Sequence, residues 1–490
     1  MTPAPTPQRL SARRAVYLIA LVGAAIRLWG LAALPLVITD DGSGYLHWAQ
    51  LLVQGQPMEI NPLRTPGYPV FLAGCLIAFG DGPVGILLAQ HLAGWLATFL
   101  VGLVAIRLAG PRIGAALGTL AALDPWLIGF ECYLLTEALS VLGMAAAFAI
   151  ACLGTRPRWA WGGLLGIVLG LTCLVRPSFQ IAVPFLALGW LLHSSREPGT
   201  RGVRAAVAPA LALVLAFAVT TGPWLRYNAR RGVEGFARGT EVGFWSGMAW
   251  AGLLTEELEL PPDVRDAHAR LREGTLSVHA FLAQINGWHD AERRRLLARW
   301  VRASIAQRPA DYAAGVGKAL LWQLNIFPVW SGHTYNESAG YVGRVGADGT
   351  QWGQVAPNLQ VTVNPERLRP LMMHGESGPP GRFFAWLRVR YVPGFPQAPL
   401  FGLAVAAGVV LLARRRFDLA LILAGVGALI GIHALMVQPY SRYSLPAWIV
   451  LYAAPALLWI PRARPGGVGP EPVSSPSNPP APHTLEAIHA

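Results

Sequence analysis

The stretch ITDDGSGYLHWAQLLVQGQ, residues 38–56, followed by NPLRTPGYPVFLAG at 61–74, decides how this chain folds. Directly before it runs an apolar segment, 15–38, whose one charge is Arg27. About 20 apolar residues span a bilayer as a helix. Asp40 and Asp41 therefore stand where the chain leaves the membrane, facing the lipid–water boundary. If 44–54 is helical, Tyr45, Trp48, Ala49 and Leu52 share one face. Such a helix lies along the membrane and holds its carboxylates at the N-terminal end, where the helix dipole favours ionised acids. An ionised Asp is a competent general base toward a hydroxyl. The two acids read equally well as caps of that helix.

Working outward, the whole chain has the same character. It is 53% hydrophobic and 13% charged, with a mean hydropathy of +0.42. Soluble domains carry about a quarter charged residues, so this is an all-α polytopic membrane protein. Apolar runs fall at 15–38, 84–106, 113–130, 137–153, 159–175, 179–193, 205–223, 396–413, 418–437 and 443–460. They predict about ten transmembrane helices. The shorter run 68–80 predicts an interfacial or re-entrant helix. The net charge is +13 and Lys318 is the sole lysine. With the N-terminus inside, every inner gap is basic: Arg13/Arg14, Arg107/Arg112, Arg156/Arg158, Arg196/Arg201/Arg204, Arg414–Arg416 and Arg462/Arg464. That is the positive-inside pattern, and it argues against a nucleic-acid surface. Asp40, Asp41, Glu131, Glu137, Arg64, Arg176 and Arg442 then gather on the outer face.

Four regions follow. Residues 1–223 form a membrane module carrying the first outer loop, 38–83. Residues 224–395 form a mainly helical outer segment, with helices broken near Pro309 and lying on the membrane surface. Within it, 331–382 reads as loops, and the sequon Asn336-Glu337-Ser338 reads as chance. Residues 396–460 return to the membrane. The Pro-rich 461–490 reads as a disordered cytoplasmic tail. The N-terminus reads as an uncleaved signal anchor. Cys75, Cys132, Cys152 and Cys173 read as small core residues, a Cys75–Cys132 disulfide being the lesser alternative. Intramembrane Arg27 is a functional candidate by default, or pairs within the bundle, with Asp124 as a partner. His47, His91, His333 and His433 show no ligand spacing and read as structural.

Short motifs on the outer face add a resemblance. They are Asp41-x-x-x-Tyr45, then Arg64-Thr65-Pro66-Gly67-Tyr68-Pro69, LLTEAL around Glu137, Arg176-Pro177, and Arg442-Tyr443 with Pro446. In this order they resemble the GT-C glycosyltransferases, nearest the branch of protein O-mannosyltransferases and lipid A aminoarabinose transferases. The resemblance implies a GT-C-type bundle with interfacial helices in its first outer loop. It implies hexosyl or pentosyl transfer from a polyprenyl phosphate-linked sugar to a glycan, lipid or protein hydroxyl, with inversion. The base is then Asp41 or Asp40. The family often has an acidic residue directly after this Asp; here Gly42 follows Asp41, and the spacing to Tyr45 favours Asp41. Arg64, Arg176 and Arg442 would meet the leaving phosphate through their forked donors, or else snorkel to headgroups. Glu137, Tyr45, Tyr68 and Tyr443 would bind acceptor or sugar, with Glu137 also readable as a helix cap. No cofactor is expected; a divalent cation between Asp41 and Glu137 is the disfavoured variant.

Beside the sugar, the expected partners are membrane lipids and the unknown acceptor, with no nucleic acid. The Arg-, Ala- and Gly-rich style suits a GC-rich bacterium and its inner membrane, with both termini cytoplasmic. The alternatives are a polysaccharide polymerase or ligase acting on lipid-linked glycans, and a lipid or glycan transporter. A transporter would carry mid-membrane charges and an internal repeat.

Overall fold

The computed structural model describes residues 7–33, 36, 40–56, 64–80, 83–154, 158–195, 204–233, 235–237, 239–324, 344–345, 351–352, 397–438 and 441–459. These are helical apart from short turns and one antiparallel pair, Arg344–Val345 with Gln351–Trp352. The membrane helices are α1 (Pro7–Ala33), α4 (Pro83–Ala109), α5 (Pro111–Ala122), α6 (Pro125–Glu131), α7 (Glu137–Leu153), α8 (Arg158–Val175), α9 (Val183–Ser195) and α10 (Arg204–Arg230). After a gap come Gln397–Ala413 (here α16), Phe417–Leu435 (α17) and Leu445–Leu451 (α18), the last continued by a 3-10 turn, Ala454–Trp459. Two helices, α2 (Asp40–Val53) and α3 (Gly67–Phe79), fill the first loop.

Among the described residues, five helices are long and apolar enough to cross a membrane, or six when α5 and α6 count as one bent span. The remaining expected spans fall on apolar helices of 10–17 residues. The third span departs from a straight helix for a local reason. Pro125 has no N–H for the i−4 bond, and Asp124 caps α6 by accepting from Trp126 N at 2.7 Å and Leu127 N at 3.4 Å. The two halves meet at 47°. Conversely, α10 does not stop at 223. It runs through Pro209 and Pro223 to Arg230, as membrane helices can when neighbours compensate.

The bundle is arranged inside out. Leu21 on α1, Val219 on α10 and Val409 on α16 are exposed, while Arg27, Asp124 and Glu131 are buried. The central helix is α7, small-residue-rich and buried nearly all round. Lipid tails remove the hydrophobic drive between helices, so close packing must supply the association. Gly162, Gly166 and Gly170 make one stripe on α8 at a spacing of four. A Cβ there would stand 2.5 Å from Pro209 O, 2.2 Å from Leu213 O and 2.9 Å from Thr220 Cβ of α10. Only glycine permits that approach.

The outer segment holds α11 (Thr240–Trp250), α12 (Pro262–Arg272), α13 (Val278–Gln284), α14 (Ala291–Gln307) and α15 (Pro309–Gln323). The expected break at Pro309 is there. The expected surface-lying helix is not: α14 buries Leu297 and Trp300 in a second core with Trp245 and Phe281. Trp245 stacks on Phe281 with centroids 4.6 Å apart and meets Trp300 at a tilt, 5.8 Å away. Helix α15 ties this unit to the bundle, Tyr312 donating to Leu435 O of α17 at 2.7 Å. Asn336, His333, most of 331–382 and the tail from 461 lie outside the described residues.

Candidate functional site

Helix α2 begins at Asp40, so both acids sit in its first turn. Much of its expected inner face is there: Ala49 is buried, and Tyr45 and Leu52 partly so, against α3, the start of α4, Cys132 and Leu134, while Trp48 is buried beside Tyr45. Gly67 opens α3 hard against α8, where a Cβ would lie 2.6 Å from Leu174 O. That contact brings the first loop beside Arg176, which follows α8 directly.

Asp41 accepts from Arg64 at 2.6 Å through Oδ1, and Arg64 also donates to the Asp41 carbonyl at 2.9 Å. The carboxylate side chain is 44% exposed. The guanidinium lies 4.7 Å from the Tyr45 ring centroid and 5.7 Å from that of Trp48, a cation–π arrangement that holds it in place. Tyr45 meets Tyr68 edge-on at 5.1 Å.

A second ion pair lies near Tyr45. Glu137, first residue of α7, faces Arg176 at 3.5 Å, both side chains being nearly buried. The Arg176 guanidinium stands 5.2 Å from the Tyr443 ring. Arg64, Asp41, Glu137 and Arg176 all act electrostatically on Tyr45, and burial pushes its hydroxyl up to about 12. It is a neutral donor at ordinary pH.

Asp41, Arg64, Tyr45, Tyr68, Glu137, Arg176 and Tyr443 thus come together at one end of the bundle. The side chains of Asp40 and Arg442 lie outside the described residues. Among those described, no group of three His, Cys, Asp or Glu stands close enough to hold a metal ion.

Three expectations are corrected. Arg27 does not pair with Asp124. Its Nη2 binds Glu131 Oε1 at 2.7 Å, while Asp124 Oδ2 accepts from the Tyr452 hydroxyl and from Gln397 Nε2. His91 is not isolated: its Nδ1 lies 2.7 Å from Glu131 Oε2. Glu131 is therefore not an outer-face acid but the centre of a buried cluster. Glycine at 94 leaves room for it, since a Cβ there would lie 1.8 Å from Glu131 Oε1. All four cysteines are buried and free. Gln90, which no motif marked, joins this cluster to the site. It accepts from the Tyr68 hydroxyl at 2.6 Å and donates to Glu131 O and Tyr133 O at 2.7 and 3.0 Å. Its signal was a polar pair, Gln90-His91, inside an apolar run.

No family model and no curated protein sequence matches the chain. Solved structures that align with it include the archaeal oligosaccharyltransferase AglB from Archaeoglobus fulgidus in complex with an inhibitory peptide and a dolichol-phosphate. That match has 14% identity and a TM-score of 0.43, covering 91% of this chain and 50% of that one. ArnT from Cupriavidus metallidurans bound to undecaprenyl phosphate aligns at 15% identity and a TM-score of 0.38, covering 90% of this chain and 77% of that one. The chain spans half the length of AglB.

Proposed function

We propose that this protein is a membrane glycosyltransferase that moves a sugar from a polyprenyl phosphate carrier to an acceptor hydroxyl, inverting the anomeric carbon, with Asp41 as general base. The carrying observation is the half-exposed Asp41 carboxylate, oriented by Arg64 near the buried Glu137–Arg176 pair, both pairs acting electrostatically on Tyr45. The order of the outer-face motifs supports the same reading. An accessible, ionised carboxylate can take a proton; a nearly buried one held against an arginine orients.

The reaction is a single displacement. The acceptor oxygen bonds to the anomeric carbon as its proton passes to Asp41. The bond from that carbon to the phosphate oxygen breaks on the opposite face, and its electrons leave with the lipid phosphate. Guanidinium groups meet the charge developing there, Arg176 foremost, with Arg442, which directly precedes Tyr443 in sequence. Preorganised donors at such a position are worth several kcal/mol, about 3–4 for one donor. Arg64 holds Asp41 in place. Glu137, Tyr45, Tyr68 and Tyr443 face the sugar or acceptor, and the outer helices help select the acceptor. On this reading both termini are cytoplasmic and the site lies outside a bacterial inner membrane, an orientation that the basic inner gaps favour.

The test is release of polyprenyl phosphate by the purified protein from a panel of polyprenyl phosphate sugars with candidate acceptors, alongside Asp41→Asn. Release by wild type and its loss in the variant is the expected result. A variant that transfers as fast as wild type would remove Asp41 as the base. Folded wild type inert on every donor would remove the reading itself.

A further inference from the structure

Two polar atoms near Arg176 are buried without a hydrogen-bond partner among the described residues: His433 Nε2 and Ser178 Oγ. Ser178 lies two residues beyond Arg176, on the 3-10 turn Pro177–Ile181, and that turn packs on α17, which carries His433 in its last turn. The His433 ring stacks on Tyr443, with centroids 4.9 Å apart and planes at 20°. The same Tyr443 ring takes the Arg176 guanidinium at 5.2 Å. One aromatic ring on a four-residue turn, Ser441–Ser444, therefore packs against both a cation and an imidazole. His433 is 7% exposed and in contact with the site's own residues.

Buried donors are normally paired, and an orphaned pair flanking an arginine is matched by a group rich in acceptor oxygens. We infer that His433, supported by Ser178, is a further phosphate-contacting residue of this site. Its Nε2–H donates to the phosphate of the polyprenyl phosphate that Arg176 also meets, once the Tyr443 ring turns aside. The inference rests on the proposed function for the identity of the lipid, but it concerns binding and not turnover. A neutral imidazole suits the place, because it donates without adding a second buried charge beside Arg176. The leaving phosphate then meets donors from two elements, the turn after α8 and the end of α17.

The experiment is binding of a short-chain polyprenyl phosphate to the full-length protein in nanodiscs, with the matching polyprenol as control. His433→Phe keeps the stack on Tyr443 and removes the donor. It should weaken polyprenyl phosphate binding about tenfold, the loss of one hydrogen bond to a charged group, and leave polyprenol binding unchanged. His433→Gln, which restores an N–H at similar reach, should recover most of the loss. Excess phosphatidylglycerol should not compete. The inference is overturned if His433→Phe binds the phosphate as wild type does, if both ligands weaken equally, if Gln fails to rescue, or if phosphatidylglycerol competes on equal terms. Should wild type bind polyprenyl phosphate yet transfer no sugar, the glycosyltransferase reading fails while the phosphate contact stands.

Discussion

Two carboxylate–arginine pairs in this protein have nearly the same length and opposite meanings. Asp41 meets Arg64 at 2.6 Å with side chains 44% and 23% exposed; Glu131 meets Arg27 at 2.7 Å with both at 3%. Glu131 has one oxygen on Arg27 and the other on His91, buried within the bundle. Asp41 is held through Oδ1 at a rim that substrate can reach. The difference is burial together with place: Glu131 is enclosed by helices of the bundle, while Asp41 stands half-exposed in the first loop. A buried pair gains little over an apolar one of equal shape, whereas removing one partner leaves a charge with no answer.

The sharpest way to break this contrast is to neutralise each acid in turn. Asp41→Asn should cut sugar transfer by about 10²–10⁴-fold, the range for losing a general base, with an unchanged thermal transition. Glu131→Ala should do the reverse, destabilising the bundle by about 3–5 kcal/mol, read as a lowered melting temperature in detergent. The double variant Arg27→Met/Glu131→Leu should recover much of that loss. A Glu131→Ala protein that melts like wild type would end the architectural reading. Full stability with activity lost would move Glu131 into the active site.

A smaller effect sharpens the same point. Gly94→Ala puts a Cβ where Glu131 Oε1 now lies, 1.8 Å away. The helix or the carboxylate must yield, at about 1–3 kcal/mol for an overpacked site. The melting temperature should fall less than in Glu131→Ala. An equal or greater fall would mean that α4 cannot move at all.

Much of this was legible before any coordinates. The apolar runs and basic gaps marked the helices because bilayer thickness and arginine placement act locally along the chain. The first-loop helix and its inner face followed from spacing, and Asp41, Arg64, Glu137 and Arg176 from charges at span ends. The pairings were not legible. Arg27 to Glu131 crosses 104 positions, and no local rule chooses it over Asp124, which had its own helix end to cap. The α8 glycine stripe was in plain sight as a spacing of four, yet its partner α10 could be known only from packing. Helix α14 misled for a similar reason. Its basic, Trp-bearing pattern fits a membrane surface equally well, and only the rings of Trp245 and Phe281 show where Trp300 goes.

The smallest predicted effect lies in that outer unit. The His268 ring meets Trp300 edge-on at 4.7 Å. Burial holds its pKa below the ordinary 6.5, and Arg272 adds to the shift while Glu256 opposes it. Because the folded value is the lower one, the unfolded chain takes up the proton first on acidification. The stability tied to the neutral ring is thus complete above about pH 6.5 and is lost as pH falls from there toward the folded value. Asp290, held low chiefly by the backbone N–H groups of Arg293 and Glu292, loses its contribution in a separate window, below 3.8. Melting temperature should therefore decline modestly between about pH 7.5 and about 5.5, the range that brackets an ordinary histidine. His268→Phe, which keeps the edge-on packing, should flatten that slope. If sugar transfer runs through Asp41 in the first loop, as proposed, activity in folded protein should not follow the His268 curve. If the two curves coincide, the outer helices and the site titrate as one unit, and the division between architecture and chemistry runs through the outer segment as well as the bundle.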